Sequence, residues 1–167
     1  MKRLTFILSI LAAFSTSTAT AQSMLSNIRS QWETYIVVSS AMPRDQLISL
    51  AKEASLADAV MVFNGFPNRK NSIPATQRMI SEINLACCDK QHPSRWVIDP
   101  KIIGRYHILA SPSFILAHGE STRNDDFSLI TGDIDLANAL KSFVQRSGSP
   151  AIRQRATAIY QRAFATQ

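Results

Sequence analysis

Short apolar runs alternate with segments of helical periodicity along most of this chain. Runs rich in β-branched or aromatic residues predict buried strands at 35–40, 59–64, 96–98, 113–117 and 127–131. Apolar residues at helical spacing predict helices that begin near Pro43, Ser72 and Asp133. A further short helix is expected after Asp99-Pro100, because aspartate caps a first turn and proline suits the first helical position.

The order of these elements predicts an α/β fold with a mixed central sheet. Two strand–helix–strand units favour a parallel portion, and the turn at Gly119 favours an antiparallel hairpin. This order resembles that of thioredoxin-like domains, in which a cis-proline precedes a strand, as Pro112 does here. We therefore expect Pro112 to be cis. Because the chain has no Cys-x-x-Cys pair, we expect a thioredoxin-like sheet flanked by helices but lacking that redox pair.

The two ends of the chain differ in composition from its middle. Lys2 and Arg3 precede an apolar stretch, and Ala19-Thr20-Ala21 fits a signal-peptide cleavage pattern, so we expect export from the cytoplasm. The predicted domains are a signal peptide at 1–21, a lead-in at 22–34, a thioredoxin-like domain at 35–146, and a linker with a basic amphipathic helix at 147–167. The last helix is predicted to lie beyond the domain proper, and the sequence leaves open whether it packs on the domain or on a partner.

Positive charge is concentrated near the C-terminus. The formal net charge of +6 falls to +4 when the two charges of Lys2 and Arg3 leave with the signal peptide. The segment from residue 146 onward has four arginines and no acidic residue. Its Arg153 and Arg155 are candidates for binding an acidic partner or, weakly, a membrane surface, and a solvated helix face is the alternative. No nucleic-acid-binding motif accompanies the charge, so we expect no nucleic-acid partner.

Cys87 and Cys88 are the only cysteines, and they are adjacent. Three interpretations stay open, which are inert buried thiols, a vicinal or intermolecular disulfide, and a metal site with His92. A vicinal bond would be strained, because neighbouring Cα atoms lie about 3.8 Å apart whereas disulfides usually span about 4.4–6.8 Å. Two thiols and one imidazole lack a fourth ligand, so we expect no metal site.

Met42 and Pro43 stand at the first helix start, where thioredoxins carry their cysteines. A thioether forms no thiolate, so dithiol exchange cannot run from this position. Together with Ser111 and Pro112, these residues predict a flexible surface that grips an apolar segment of a partner. The alternative is that Met42 fills the space beneath the cis-proline loop. Because no catalytic grouping or phosphate-binding loop stands out, we expect neither enzyme activity nor a cofactor.

The chain resembles the TrbC family of F-type conjugative transfer systems, the pilin assembly proteins. The resemblance covers about 35–116 and is carried by the segments 39–43 (SSAMP), 60–65 (VMVFNG), 98–100 (IDP) and 111–114 (SPSF). It implies a periplasmic, non-catalytic component of a type IV secretion apparatus that supports pilus assembly beside a TraW-like partner. The alternative function is a periplasmic thiol–disulfide oxidoreductase or isomerase that uses Cys87 and Cys88.

Overall fold

The computed structural model describes residues 32–65 and 72–165. The predicted signal peptide, most of the predicted lead-in and the loop at 66–71 lie outside these residues. The strands are β1 (Trp32–Val38), β2 (Val60–Phe63), β3 (Arg95–Val97), β4 (Ser113–His118) and β5 (Phe127–Thr131). The helices are α1 (Arg44–Ala57), α2 (Ile73–Cys87), α3 (Pro100–Arg105), α4 (Leu136–Arg146) and α5 (Pro150–Phe164). In the described ranges, no helix has both the length and the apolar character needed to cross a membrane.

The five strands form one mixed sheet in the order β3-β2-β1-β4-β5. β1 and β3 run parallel to β2, whereas β4 runs antiparallel to its two neighbours β1 and β5. The parallel portion and the antiparallel hairpin predicted from the order of elements are therefore confirmed. At the turn after β4, Gly119 has a φ of +67°, a backbone conformation that glycine adopts without a Cβ clash.

Each face of the sheet packs a separate core. Successive strand side chains point to opposite faces, so Ile36 and Phe114 contribute to one core while Val37 and Ile115 contribute to the other. Helices α1, α2, α4 and α5 bury the first, larger core. The smaller core is covered by α3, through residues that include the buried Tyr106 just after it. The helical layer is therefore thick on one face and thin on the other.

The helix starts are set by side-chain caps. Ser72, near which a helix was predicted to begin, and the predicted cap Asp99 accept hydrogen bonds from backbone amides in the first turns of α2 and α3, at 3.4 and 2.8 Å. The helix predicted to begin near Asp133 is α4, and its cap is Asp135, because the Asp135 carboxylate accepts the amide of Asn138 at 2.6 Å. An N-cap must directly precede the first helical residue for its side chain to reach the free amides of that turn.

The structure differs from the predicted domain bounds at both ends. β1 begins at Trp32 and therefore includes the end of the predicted lead-in. Helix α5 does not stand beyond the domain, because its apolar stripe is buried in the larger core. The buried residues of the stripe are Ile152, Ala156, Ile159 and Ala163. This apolar face of α5 is removed from water because it packs against α1 and α4.

Candidate partner-binding surface and disulfide cleft

The sheet register brings the two predicted surface segments together. Val37 of β1 pairs with Ser113 of β4 in an antiparallel ladder, so the next step of the register places Val38 opposite Pro112. The Ser111–Pro112 peptide bond is cis, as expected. The chain that leaves β1 toward α1 therefore runs beside the chain that enters β4. We call the predicted residues Met42, Pro43, Ser111 and Pro112 the cis-proline surface, in which Pro112 itself is buried.

Met42 is only partly available for contact. Its side chain is half-buried and packs against the larger core, and its sulfur accepts a hydrogen bond from the Ser39 amide at 3.4 Å. Pro43, the N-cap residue of α1, is exposed and has no side chain that accepts a hydrogen bond. The space-filling interpretation of Met42 therefore has direct support, and the remainder of its thioether adjoins the exposed proline.

Ser111 carries an unused hydrogen-bonding group at the cis-proline. Its hydroxyl is buried and has no hydrogen-bond partner among the described residues. The neighbouring Ser113 hydroxyl, in contrast, contacts the Ala110 carbonyl at 2.7 Å and the Thr131 hydroxyl at 2.6 Å. Buried hydroxyls are usually paired, so the Ser111 hydroxyl is an exception, and because it is enclosed it is not presented to a docking segment.

Leu109 is a candidate contact residue that the sequence pattern did not indicate. It lies two residues before Ser111, and 96% of it is exposed. Large apolar side chains are seldom left so open unless a partner covers them or they stand singly on the surface. Periodicity carries no signal in a loop, so the sequence pattern did not distinguish this leucine from its buried neighbour Ile108.

The arginines of α5 do not form one patch. Residues two positions apart in a helix lie about 200° apart around its axis, so Arg153 and Arg155 are on opposite flanks of α5. The Arg153 guanidinium donates to the carbonyls of Ser147 and Gly148, at 2.7 and 3.2 Å. Arg153 therefore closes the turn between α4 and α5, and its proposed contact with a partner stays a prediction.

Cys87 and Cys88 are joined by a vicinal disulfide, with sulfurs 2.04 Å apart. The bond lies at the C-terminal end of α2 and on the wall of a cleft of about 340 Å³. Across the cleft stands the C-terminal half of α1. The cleft is lined by Lys52, Ser55, Leu56, Cys87, Cys88, Asp89 and His92. In the described part of the chain, no group of three or more histidine, cysteine or acidic side chains is arranged to hold a metal ion.

Carbonyl oxygens surround both sulfurs of the disulfide. The Cys88 sulfur lies 3.7 Å from the Ala51 carbonyl, and the Cys87 sulfur lies 3.9 Å from both the carbonyl and the side-chain oxygen of Asn84. The end of α2 adds the negative pole of the helix dipole. These partial negative charges disfavour a thiolate, whereas the charge of Lys52, which lines the same cleft, favours one.

The turn after the disulfide is held by its own hydrogen bonds. The Asp89 carboxylate accepts the backbone amides of Gln91 and His92, at 2.9 and 2.8 Å. These bonds, with that from His92 as the largest cause, lower the pKa of Asp89. The Ser55 hydroxyl donates to the His92 carbonyl at 2.5 Å, which ties the turn to α1. The cleft is therefore bounded by a fixed turn.

The mixed sheet order, the helix that follows β1 and the cis-proline before β4 define a thioredoxin-like domain, and the chain lacks a Cys-x-x-Cys pair. Residues 36–143 match the family model of TrbC, the type-F conjugative transfer system pilin assembly protein. The chain belongs to this family, which confirms the resemblance carried by its sequence segments. The family's role is pilin assembly in F-type conjugative transfer.

Two solved structures are similar to this chain. One is a secreted Mycobacterium tuberculosis disulfide oxidoreductase homologous to E. coli DsbE, at 14% identity and a TM-score of 0.43, covering 80% of this chain and 85% of that one. The other is MTB dsbF in mixed oxidized and reduced forms, at 13% identity and a TM-score of 0.42, covering 80% and 84%. Similarities this distant say nothing about the chemistry of this chain. No curated protein matches the sequence.

Proposed function

We propose that this chain is a periplasmic, non-catalytic assembly factor of an F-type conjugative type IV secretion system. It supports pilus assembly by binding a protein partner, a TraW-like component of the apparatus. Membership of the pilin assembly family over residues 36–143 is the observation that carries this proposal. The predicted signal peptide at 1–21 supports a location in the periplasm.

The chemistry of the cis-proline surface supports a binding role. At the start of α1, Met42 offers a polarisable thioether where a redox-active thioredoxin needs a thiolate. The exposed Leu109 adds an apolar contact on the loop that enters the cis-proline. A partner segment that presents an apolar side chain fits this surface.

Gene deletion followed by complementation tests the proposal. Deletion should abolish pili and plasmid transfer, and the wild-type gene should restore both. A Leu109→Asp variant should restore little transfer while keeping the wild-type circular dichroism spectrum. Leu85→Asp is the matched control, because Leu85 is 76% exposed on α2, away from the cis-proline. Normal pili after deletion would refute the function, and normal transfer by Leu109→Asp would refute this surface alone.

The second candidate is a thiol–disulfide oxidoreductase or isomerase that uses Cys87 and Cys88. It is favoured by one observation, the disulfide on the wall of an open cleft, and opposed by the carbonyl oxygens around both sulfurs. The rate of alkylation of the reduced protein at neutral pH separates the two candidates, because dithiol exchange needs an exposed, reactive thiol. We expect both thiols to react slowly. Rapid alkylation, together with loss of transfer in a Cys87→Ser/Cys88→Ser variant, would favour the oxidoreductase.

A further inference from the structure

β5 is an edge strand of the sheet, and its residues include none of the features that usually prevent another strand from pairing with such an edge. In the described part of the chain it pairs with β4 alone. Its five residues, Phe127–Thr131, include no charge, no proline and no glycine. Edge strands are usually protected by lysine, proline, a bulge or a covering element, because their free backbone groups accept any extended chain.

The hydrogen bonds at the two ends of the hairpin show which groups of β5 are free. The amide of His118 donates to the Asp126 carbonyl at 2.7 Å, and the amide of Gly132 donates to the Pro112 carbonyl at 3.1 Å. In an antiparallel ladder, bonded positions alternate with positions that face away. Residues 126 and 132 are therefore bonded to the β4 side of the hairpin, and alternation from either one makes 128 and 130 bonded positions as well. The backbone groups that face outward belong to Phe127, Leu129 and Thr131.

A groove runs beside this open edge. It has a volume of about 190 Å³ and lies between β5 and α4. The buried Phe143 and the half-buried Ile130 supply apolar surface. A hydrogen bond of 3.0 Å between the hydroxyls of Ser128 and Ser147 ties the strand to the end of α4. The groove is therefore preformed, and a strand added to β5 would send alternate side chains toward it.

Arg146 gives the groove its charge. It is exposed on the groove wall, and none of the ion pairs between described side chains involves it. Without Lys2 and Arg3 of the predicted signal peptide, the formal net charge of +6 becomes +4, which is still positive. A carboxylate is the side chain that complements an exposed guanidinium. A second copy of this chain, pairing through β5, would bring no carboxylate within that strand.

We propose that the open edge of β5 is a docking site for an extended, acidic segment of a partner protein. The segment pairs with the outward groups of Phe127, Leu129 and Thr131 as an added strand. It places an apolar side chain in the groove over Phe143 and a carboxylate beside Arg146. This surface adjoins the cis-proline surface at Thr131, but the inference does not depend on the function proposed above.

A peptide titration of the exported chain, followed by NMR, tests the pairing. The probe is a capped seven-residue peptide of alternating valine and threonine with glutamate at each end. Its control has the same side chains but methylated nitrogens at alternate amides. The probe should shift the amide signals of Phe127, Leu129 and Thr131, and slow their hydrogen exchange. The methylated control should bind at least about tenfold more weakly, because it cannot complete the ladder.

Two charge reversals test the role of Arg146. Arg146→Glu should weaken binding of the probe by about tenfold or more, and added salt should reduce that difference. Lys101→Glu makes the same change in charge on α3, at the other face of the sheet, and should leave binding unchanged. Equal losses in both variants would mean that net charge alone attracts the peptide, and would overturn the site.

Leu129→Pro removes one outward amide without touching the ladder to β4, and proline is tolerated at such edge positions. The variant should keep the wild-type circular dichroism spectrum and lose probe binding, whereas Leu129→Thr should bind. If Leu129→Pro does not fold, the comparison of the probe with its methylated control on the wild-type protein decides in its place. Three outcomes overturn the proposal, which are equal binding of both peptides, shifts that map away from β5, and a wild-type dimer that the edge variants make monomeric.

Discussion

The side-chain carboxylate of Glu53 accepts the backbone amide of Leu136 at 2.6 Å, across 83 residues of sequence. Glu53 lies on α1 and Leu136 is the first residue of α4. The local cap Asp135 satisfies a different amide, that of Asn138. Two carboxylates therefore cap α4, one from its own chain segment and one from a neighbouring helix. This second cap fixes α4 against α1 where both helices cover the larger core.

Loss of the Glu53 carboxylate should destabilise the fold. Glu53→Ala leaves the Leu136 amide without its acceptor, which costs about 1–2 kcal/mol of the free energy of unfolding. Glu53→Gln keeps a side-chain oxygen and should stay within about 0.5 kcal/mol of wild type. Urea denaturation followed by circular dichroism measures both. Equal stability of the alanine and glutamine variants would show that the bond contributes nothing.

The stability should also depend on pH through Glu53. Burial raises the pKa of Glu53 above 4.5, against the opposing effect of its bond to Leu136. A raised carboxyl pKa means that the folded state favours the protonated form. The contribution of this group to the free energy of unfolding is therefore complete below the pKa of the unfolded state and is lost as the pH rises through the pKa of the folded state. Glutamine does not titrate, so the Glu53→Gln variant should gain stability relative to wild type as the pH rises from about 4 to about 7. A relative loss over that range would contradict the assignment.

Helix α5 should be required for stability. Ile152 is fully buried in the larger core, so Ile152→Ala should cost about 2–4 kcal/mol. Gln154→Ala changes an exposed residue of the same helix and should change stability by no more than about 0.5 kcal/mol. Urea unfolding curves provide the comparison. Similar curves for the two variants would mean that α5 does not complete the core in solution.

Ser94 should stabilise the end of the sheet near β3. Its hydroxyl donates to the Asn84 side chain at 2.5 Å and accepts from the Trp96 indole nitrogen at 2.8 Å. Ser94→Ala leaves both groups without this partner, which costs about 1–3 kcal/mol. The control Ser49→Ala, on the exposed side of α1, should be neutral. Chemical unfolding followed by tryptophan fluorescence tests both, and an unchanged midpoint for Ser94→Ala would refute the network.

The vicinal disulfide should contribute little to global stability. Its cysteines are one position apart, so the bond closes almost no loop and removes little entropy from the unfolded chain. A Cys87→Ser/Cys88→Ser variant should unfold within about 1 kcal/mol of wild type. Guanidinium denaturation with and without a reductant makes the measurement. A larger loss would show that the disulfide holds the cleft turn in place.

The elements of the fold were predictable because each one carries a local signal. β5 occupies the predicted range Phe127–Thr131, and Ser72 and Asp99 cap the helices that were predicted to follow them. The cis Ser111–Pro112 bond followed from a resemblance that lies within a few residues. The N-terminal bound of β1 was missed because Trp32–Thr34 has no run of β-branched residues, and only pairing with β4 makes it a strand.

The candidate sites were only partly predictable. The sequence pointed to Met42-Pro43 and Ser111-Pro112, but the unpartnered hydroxyl of Ser111 and the exposure of Leu109 depend on the surrounding loop. Arg153 and Arg155 look like one basic cluster in the sequence, yet helical geometry separates them by about 200°. The open edge of β5 has no signature in its five residues, because an edge exists only relative to the other strands of the sheet.

The amino-acid sequence was enough to predict the element types, their order, the position of the cis-proline, the lack of a Cys-x-x-Cys pair and the family. These properties depend on periodicity, on the conformational preferences of proline, serine and aspartate, and on short segments of fixed composition. Three further properties follow from the packing of the elements, namely that α5 completes the core, that Glu53 caps α4, and that β5 stands open beside Arg146. Each of these is a contact, or a missing contact, between residues far apart in the chain, and such contacts are set by how the helices and strands pack together.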